Sequence, residues 1–219
     1  MRDGLTQRKI NSEVANAYDA IAQSYEQFYS APVYKTEDRI LYLDLLNHFI
    51  DQDFPSGLTK SIIDVGCGTA NAWDYIGSWL SRHNYCGVDV SEEMIRQASA
   101  KLEKLSDTSN IQLSTNDIQE HPLTGYDVLF SMYGGLSYMS LQEVAEQIVR
   151  LLRKGGMYYV VLFGQGYEPT DNVVTSEGQS MVISSYSAIL EAFNEQPQLT
   201  VTDITALFTK KSLADQTVL

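Results

Sequence analysis

The chain has 219 residues, of which 44% are hydrophobic, 20% charged and 11% aromatic, a composition that supports a packed core and excludes a disordered chain. Fifteen Lys and Arg against 28 Asp and Glu give a formal charge of −13, which argues against binding a phosphate backbone. No stretch approaches the ~20 apolar residues needed to cross a bilayer, and the polar start lacks the apolar segment of a secretory signal, so a cytoplasmic protein without membrane or nucleic-acid partners is expected.

From Val14, the apolar positions Val14, Tyr18, Ile21, Tyr25 and Phe28 recur in steps of four and three, the spacing of one helical stripe. Pro32 interrupts it, and Thr36 can cap a second helix whose apolar positions are Ile40, Leu43, Leu46 and Ile50, with Phe49 beside them. The segment with Pro55 and Gly57 reads as the loop leading into the main fold.

Short apolar runs then alternate with helical stretches. The strand SIIDV precedes a helix over about 71–80, NYCGVDV precedes a helix over 92–105, and IQLSTND leads to a turn over 121–125. YDVLFSM precedes a helix over about 141–152, and the turn RKGG introduces MYYVVLF. Strand and helix in alternation predict five parallel strands with right-handed crossovers, and ligands gather at the carboxyl ends of such strands. Beyond Gly164 the pattern weakens, and LTVTDITALF reads as a further strand.

Cys67 and Cys86 are too few for a disulfide scaffold, and no Cys or His cluster has metal-ligand spacing, so no metal is expected. His48, His83 and His121 lie far apart, without an HExxH or GxSxG context. His83 and His121 are read as packing residues, Arg39 as part of a solvated helix face, and Cys67 as a small loop residue.

The segment Asp64-Val-Gly66-Cys67-Gly68-Thr closes an apolar strand on a carboxylate and turns into a helix. Gly66 and Gly68 let a ligand lie against the main chain, and Asp89, twenty-one positions after Gly68, closes the next strand where a carboxylate can accept from ribose hydroxyls. A dinucleotide loop would have its third glycine where Asn71 stands, and a carboxylate at Asp64 would repel a pyrophosphate while favouring a cationic or zwitterionic ligand.

In these residues, together with Gly87-Val-Asp89-Val90-Ser-Glu-Glu-Met94, Asn116-Asp117-Ile118, Tyr126-Asp-Val-Leu-Phe and Leu152-Arg-Lys-Gly-Gly, the chain resembles the class I S-adenosylmethionine-dependent methyltransferases. The opening Tyr18-Asp-Ala-Ile-Ala-Gln-Ser-Tyr25 resembles the start of many small-molecule members. The resemblance implies a single α/β Rossmann-like domain over 1–219. Its parts would be an N-terminal helical lid (1–56), a cofactor-binding core (60–163) and a C-terminal region (164–219). Helices would cover both faces of a mostly parallel sheet with an antiparallel C-terminal edge, an edge open to pairing with a second copy.

The resemblance further implies that Asp64, Gly66, Cys67 and Gly68 face the methionine moiety, Asp89 holds the ribose, Val90 and Met94 flank the adenine, and Asp117 and Ile118 contact it. Ser131 would lie near the methionine end, Tyr25 and Tyr18 would help close the lid, and Tyr133 and Tyr138 would position the acceptor on a loop made adaptable by Gly134 and Gly135. Ala70 stands where members often have a third glycine. The expected reaction is methyl transfer from S-adenosylmethionine to nitrogen or oxygen of a small molecule or peptide, giving S-adenosylhomocysteine. The alternatives are a binding partner or sensor without turnover and a nicotinamide-dependent oxidoreductase, the latter disfavoured by Asp64 and Asn71.

Overall fold

A computed structural model of the chain describes residues 4–28, 30, 32–51, 57–132 and 135–162. Two helices, α1 (Gly4–Phe28) and α2 (Pro32–Asp51), precede the alternating unit. That unit runs β1 (Ser61–Val65), α3 (Ala72–Leu80), β2 (Asn84–Asp89), α4 (Glu92–Leu102), β3 (Ile111–Thr115), β4 (Tyr126–Ser131), α5 (Leu141–Leu151) and β5 (Leu152–Val160), with a single 3-10 turn at Ile118–Glu120.

The five strands pair in the order β3-β2-β1-β4-β5, and every pairing is parallel. The order reverses between β1 and β4, which opens a crevice beyond their carboxyl ends. The expected antiparallel edge falls in 164–219, outside the described residues. Parallel pairing explains why β1 and β4 read as unbroken apolar runs, since both sheet faces are covered. Ile63, Val65 and Leu129 pack with Val144, Ala145 and Ile148 of α5 on one face. Ile62, Val128 and Phe130 pack with α3 and with Leu41, Tyr42 and Leu45 of α2 on the other.

The helix termini follow local chemistry. Ser140 and Glu143 form a reciprocal capping box at the start of α5. Ser91 caps α4 by accepting from the Met94 N–H at 3.1 Å. The RKGG segment is a bulge within β5, because Tyr126 pairs with Leu152 and Val128 with Met157, leaving Arg153–Gly156 opposite one residue.

The second helix departs from expectation. It starts at Pro32, whose fixed φ suits a first turn, and the Thr36 hydroxyl donates to the Pro32 carbonyl at 2.8 Å instead of capping. Its inward face is Asp38, Leu41, Tyr42 and Leu45, whereas Ile40 and Leu43 are exposed. The inward set keeps the i, i+3, i+4, i+7 spacing but includes a carboxylate and a phenol, so apolarity alone selected the wrong stripe.

Helix α1 packs on α4. Asp19 accepts from the Ser91 hydroxyl at 2.6 Å and the Glu93 N–H at 3.0 Å, and Glu26 meets Lys101 at 2.6 Å. An acid at a helix N-terminus is favoured by the exposed N–H groups there, so Asp19 fixes α1 directly beside the end of β2.

The loop after β1 is held by backbone alone at two points: the Gly66 and Cys67 N–H groups donate to the Val88 carbonyl at 2.8 and 3.2 Å. Gly66 has φ +71° and lies so close to Gly135 that a Cβ would sit 2.8 Å from the Gly135 Cα. Gly135 in turn faces the Val65 carbonyl, with room for no side chain. It serves close packing of two loops, in place of the adaptability expected of it. Ala70 takes φ +62°, and its fully buried methyl in the Ala98 and Leu102 cluster offsets the cost of that conformation.

Two stability predictions follow from this packing. Leu45→Ala should cost about 2–5 kcal/mol in urea unfolding while Ile40→Ala stays within about 0.5 kcal/mol; equal costs would contradict the assigned face of α2. Gly66→Ala should cost about 2–4 kcal/mol, against roughly 1–2 for Gly68→Ala, because Gly68 shares the positive φ but has open space around it.

Candidate functional site

One cleft lies over the carboxyl ends of the strands. Its sheet-side wall is made of Asp64–Thr69 after β1, Val88–Val90 at the end of β2, and Asn116–Ile118 after β3. The facing wall comes from Val14, Tyr18 and Tyr25 of α1, Tyr42 of α2, and Met132, Gly135, Tyr138 and Met139 beyond β4.

Asp64 is 3% exposed, and the Tyr85 hydroxyl donates to its Oδ2 at 2.8 Å. Among the described residues it has no cationic partner. Burial pushes its carboxyl up to about 7, the Tyr85 hydrogen bond opposes the shift, and the nearby Asp89 carboxylate adds to it. The parallel register that places Asp64 opposite Gly87 brings these two acids to the same end of neighbouring strands.

Asp89 is held rigidly, accepting from the Gly68 N–H on Oδ2 and from the Ser91 N–H on Oδ1, each at 2.9 Å. Burial raises its pKa, and these backbone donors oppose that. Each oxygen still has a lone pair for a ligand hydroxyl. Asp117 begins the 3-10 turn and accepts from the Gln119 N–H at 2.9 Å, and Ile118 is buried beside it. The three strand-end acids therefore share one cleft.

Gly66, Cys67, Gly68, Val90, Met94 and Tyr25 also line this cleft. Burial, with the Asp64 and Asp89 carboxylates, keeps the Cys67 thiol protonated, which leaves it without nucleophilic character. Gly87 leaves room for the loop, since a Cβ there would lie 3.0 Å from the Cys67 Sγ. Ser131 stands apart from the lining: its hydroxyl donates to the Val65 carbonyl at 2.8 Å and so braces the residue before Gly66. Tyr138 faces the cleft with its hydroxyl 3.1 Å from that of Tyr18. Tyr133 lies outside the described residues.

Tyr42 is the main lining residue that sequence reasoning missed, and the signal was the i, i+3, i+4, i+7 set beginning at Asp38. Thr69, Asn71, Met132 and Met139 also enter the lining. His83 and His121 stay out of it. His121 is buried with Nε2 2.9 Å from the Tyr126 hydroxyl, and the His83 Nδ1 accepts from the Lys60 N–H at 3.3 Å. Arg39 is exposed. No group of three or more potential ligands could hold a metal ion among the described residues, and no described helix is long and apolar enough to cross a membrane.

Comparison with known proteins adds to this geometry. A family model described as a methyltransferase domain matches residues 62–156. The curated methyltransferase 235L of invertebrate iridescent virus 6 is 25% identical over 129 residues, covering 58% of this chain; the chain spans 46% of that relative's length. Two solved structures share the fold at 18% identity and a TM-score of 0.62. Phosphoethanolamine N-methyltransferase 2 of Haemonchus contortus, in complex with S-adenosyl-L-methionine, is covered over 41% of its length by 81% of this chain. The [4+2]-cyclase SpnF is covered over 70% of its length by 83% of this chain. Residues 62–156, which hold most of the parallel sheet and the loop after β1, are the segment that is similar to a methyltransferase domain.

Proposed function

We propose that the chain transfers a methyl group from S-adenosylmethionine to nitrogen or oxygen of a small molecule or peptide, leaving S-adenosylhomocysteine. The observation that carries this reading is the line of Asp64, Asp89 and Asp117 along one cleft, with the innermost acid buried and lacking a described cation. A dinucleotide pyrophosphate would meet repulsion at Asp64, whereas a ligand with a sulfonium and an ammonium group would relieve it. When bound, S-adenosylmethionine supplies an activated methyl group on a positively charged sulfur.

The residues divide the work. Asp64 and the backbone of Gly66, Cys67 and Gly68 accommodate the methionine end, and Ser131 keeps that loop in place through the Val65 carbonyl. Asp89, fixed by two backbone N–H groups, accepts from the ribose hydroxyls. Val90, Met94 and Ile118 enclose the adenine, and Asp117 accepts from its amino group. Tyr25, carried on α1, covers the ligand, while Tyr133 and Tyr138 position the acceptor for in-line attack. Catalysis then consists chiefly of alignment and exclusion of water.

The name of SpnF is a reminder that this fold also carries a cyclase, so ligand identity has to be measured directly. Calorimetric titration should show binding of S-adenosylmethionine and S-adenosylhomocysteine without binding of NAD; preference for NAD, or no binding of either sulfur ligand, would overturn the reading. Asp89→Ala should weaken S-adenosylmethionine binding by roughly tenfold or more, because loss of a buried polar partner costs about 1–3 kcal/mol. Unchanged affinity would remove Asp89 from the ribose site.

A further inference from the structure

We infer that the methyl acceptor is an amine whose methylated form is an ammonium ion, received in a recess walled by Tyr18, Tyr42 and Tyr138 at the Asp64 end of the cleft. The inference rests on reading the cleft as the S-adenosylmethionine site and adds the chemistry of the second substrate.

The wall that faces the strand ends is aromatic. The Tyr18 ring meets those of Tyr25 and Tyr138 edge-on, both at 6.4 Å between centroids, with interplanar angles of 62° and 87°. The 3.1 Å contact between the Tyr18 and Tyr138 hydroxyls joins the lid helix to the turn after β4. Tyr42 is 4% exposed and stacks on Tyr75 at 5.2 Å, and the Tyr75 hydroxyl donates to the buried Asp38 at 3.2 Å. Tyr42 thus stands between two acids, Asp64 and Asp38, and burial together with those carboxylates keeps its phenol protonated.

The charge of this chamber discriminates between acceptor classes. Among the described lining residues none is Lys, Arg or His, and the ionisable groups are three carboxylates, four phenols and the Cys67 thiol. A phosphate or carboxylate acceptor would enter a negative field with no cation among the described lining residues to meet it. A hydroxyl acceptor needs a base that takes its proton and ends as a neutral ether, which gains nothing from the carboxylates and aromatic rings of the chamber. A neutral amine needs no such base. Its nitrogen lone pair forms the new bond to the methyl carbon as the carbon–sulfur bond breaks and leaves its electron pair on sulfur. The nitrogen ends with a positive charge, stabilised by aromatic faces and nearby carboxylates, and any N–H proton then passes to water.

The test uses the full chain saturated with S-adenosylhomocysteine and quaternary ammonium probes that mimic the charge of the product. Choline is titrated against 3,3-dimethyl-1-butanol, and acetylcholine against 3,3-dimethylbutyl acetate, pairs that differ by a charged nitrogen in place of carbon. At least one cation should bind about fivefold or more tightly than its carbon counterpart, and Tyr42→Leu and Tyr138→Leu should each reduce that preference while Tyr42→Phe and Tyr138→Phe retain it. The Phe variants keep the ring and guard against a result caused by misfolding. Equal binding within both pairs, with S-adenosylhomocysteine still bound, would overturn the inference and leave the proposed function standing. Preference that survives both Leu variants would remove the tyrosines from the recess. Loss of S-adenosylhomocysteine binding by the unaltered chain would overturn both readings.

Discussion

Two carboxylates, Asp64 and Asp89, are brought to the ends of adjacent parallel strands inside a desolvated cleft, and much of the surrounding structure answers to that proximity. Like charges in a region of low dielectric repel strongly, and removal from water raises the cost of ionising either one. Asp89 is compensated by backbone N–H groups from the segments after β1 and β2. Asp64 has one neutral hydroxyl. The imbalance makes Asp64 the acid that a cation would relieve, and it sits where the loop after β1 leaves backbone exposed.

The loop geometry depends on the absence of side chains at a few points. Gly66 and Gly135 approach too closely for a Cβ on either, Gly87 leaves room for Cys67, and the Val88 carbonyl accepts two N–H groups from the loop. These contacts tie the ends of β1, β2 and β4 into one rigid wall. The remainder of the facing wall is assembled differently, from helices α1 and α2 that precede the sheet in sequence. Asp19 couples that wall to the first, because the same Ser91 that caps α4 donates its hydroxyl to α1 while its N–H holds Asp89. The position of α1 and the orientation of Asp89 therefore share one residue.

Much of this was legible in the sequence for a physical reason. Strands buried on both faces must be apolar throughout, so β1, β2 and β4 stood out as runs, and an acid at the end of such a run is conspicuous because nothing in the core calls for it. The second helix was misread because its buried face is built from groups that count as polar. Asp38 and Tyr42 are tolerated inside through the Tyr75 hydroxyl and ring, a partnership between residues 37 and 33 positions apart that no local pattern reports. Ile40 and Leu43 are apolar and outward. Gly135 was read as a source of adaptability because its tight partner, Gly66, lies 69 positions earlier. The bulge at Arg153–Gly156 similarly depends on pairing across to β4.

The central claim is that Asp64 awaits a cation, and proton release measures it most directly. Its folded-state value, about 7 against an ordinary 3.8, means that between those pH values the free protein holds a proton that the unfolded chain would release. This group's contribution to stability therefore falls as pH rises through that window. A bound cation should lower the value again and expel the proton. Titration of S-adenosylmethionine at pH 6, in two buffers of different ionisation enthalpy, should show release of close to one proton per ligand bound, with affinity rising toward pH 8 and both effects lost in Asp64→Asn. Binding with no proton release and no pH dependence would contradict the account.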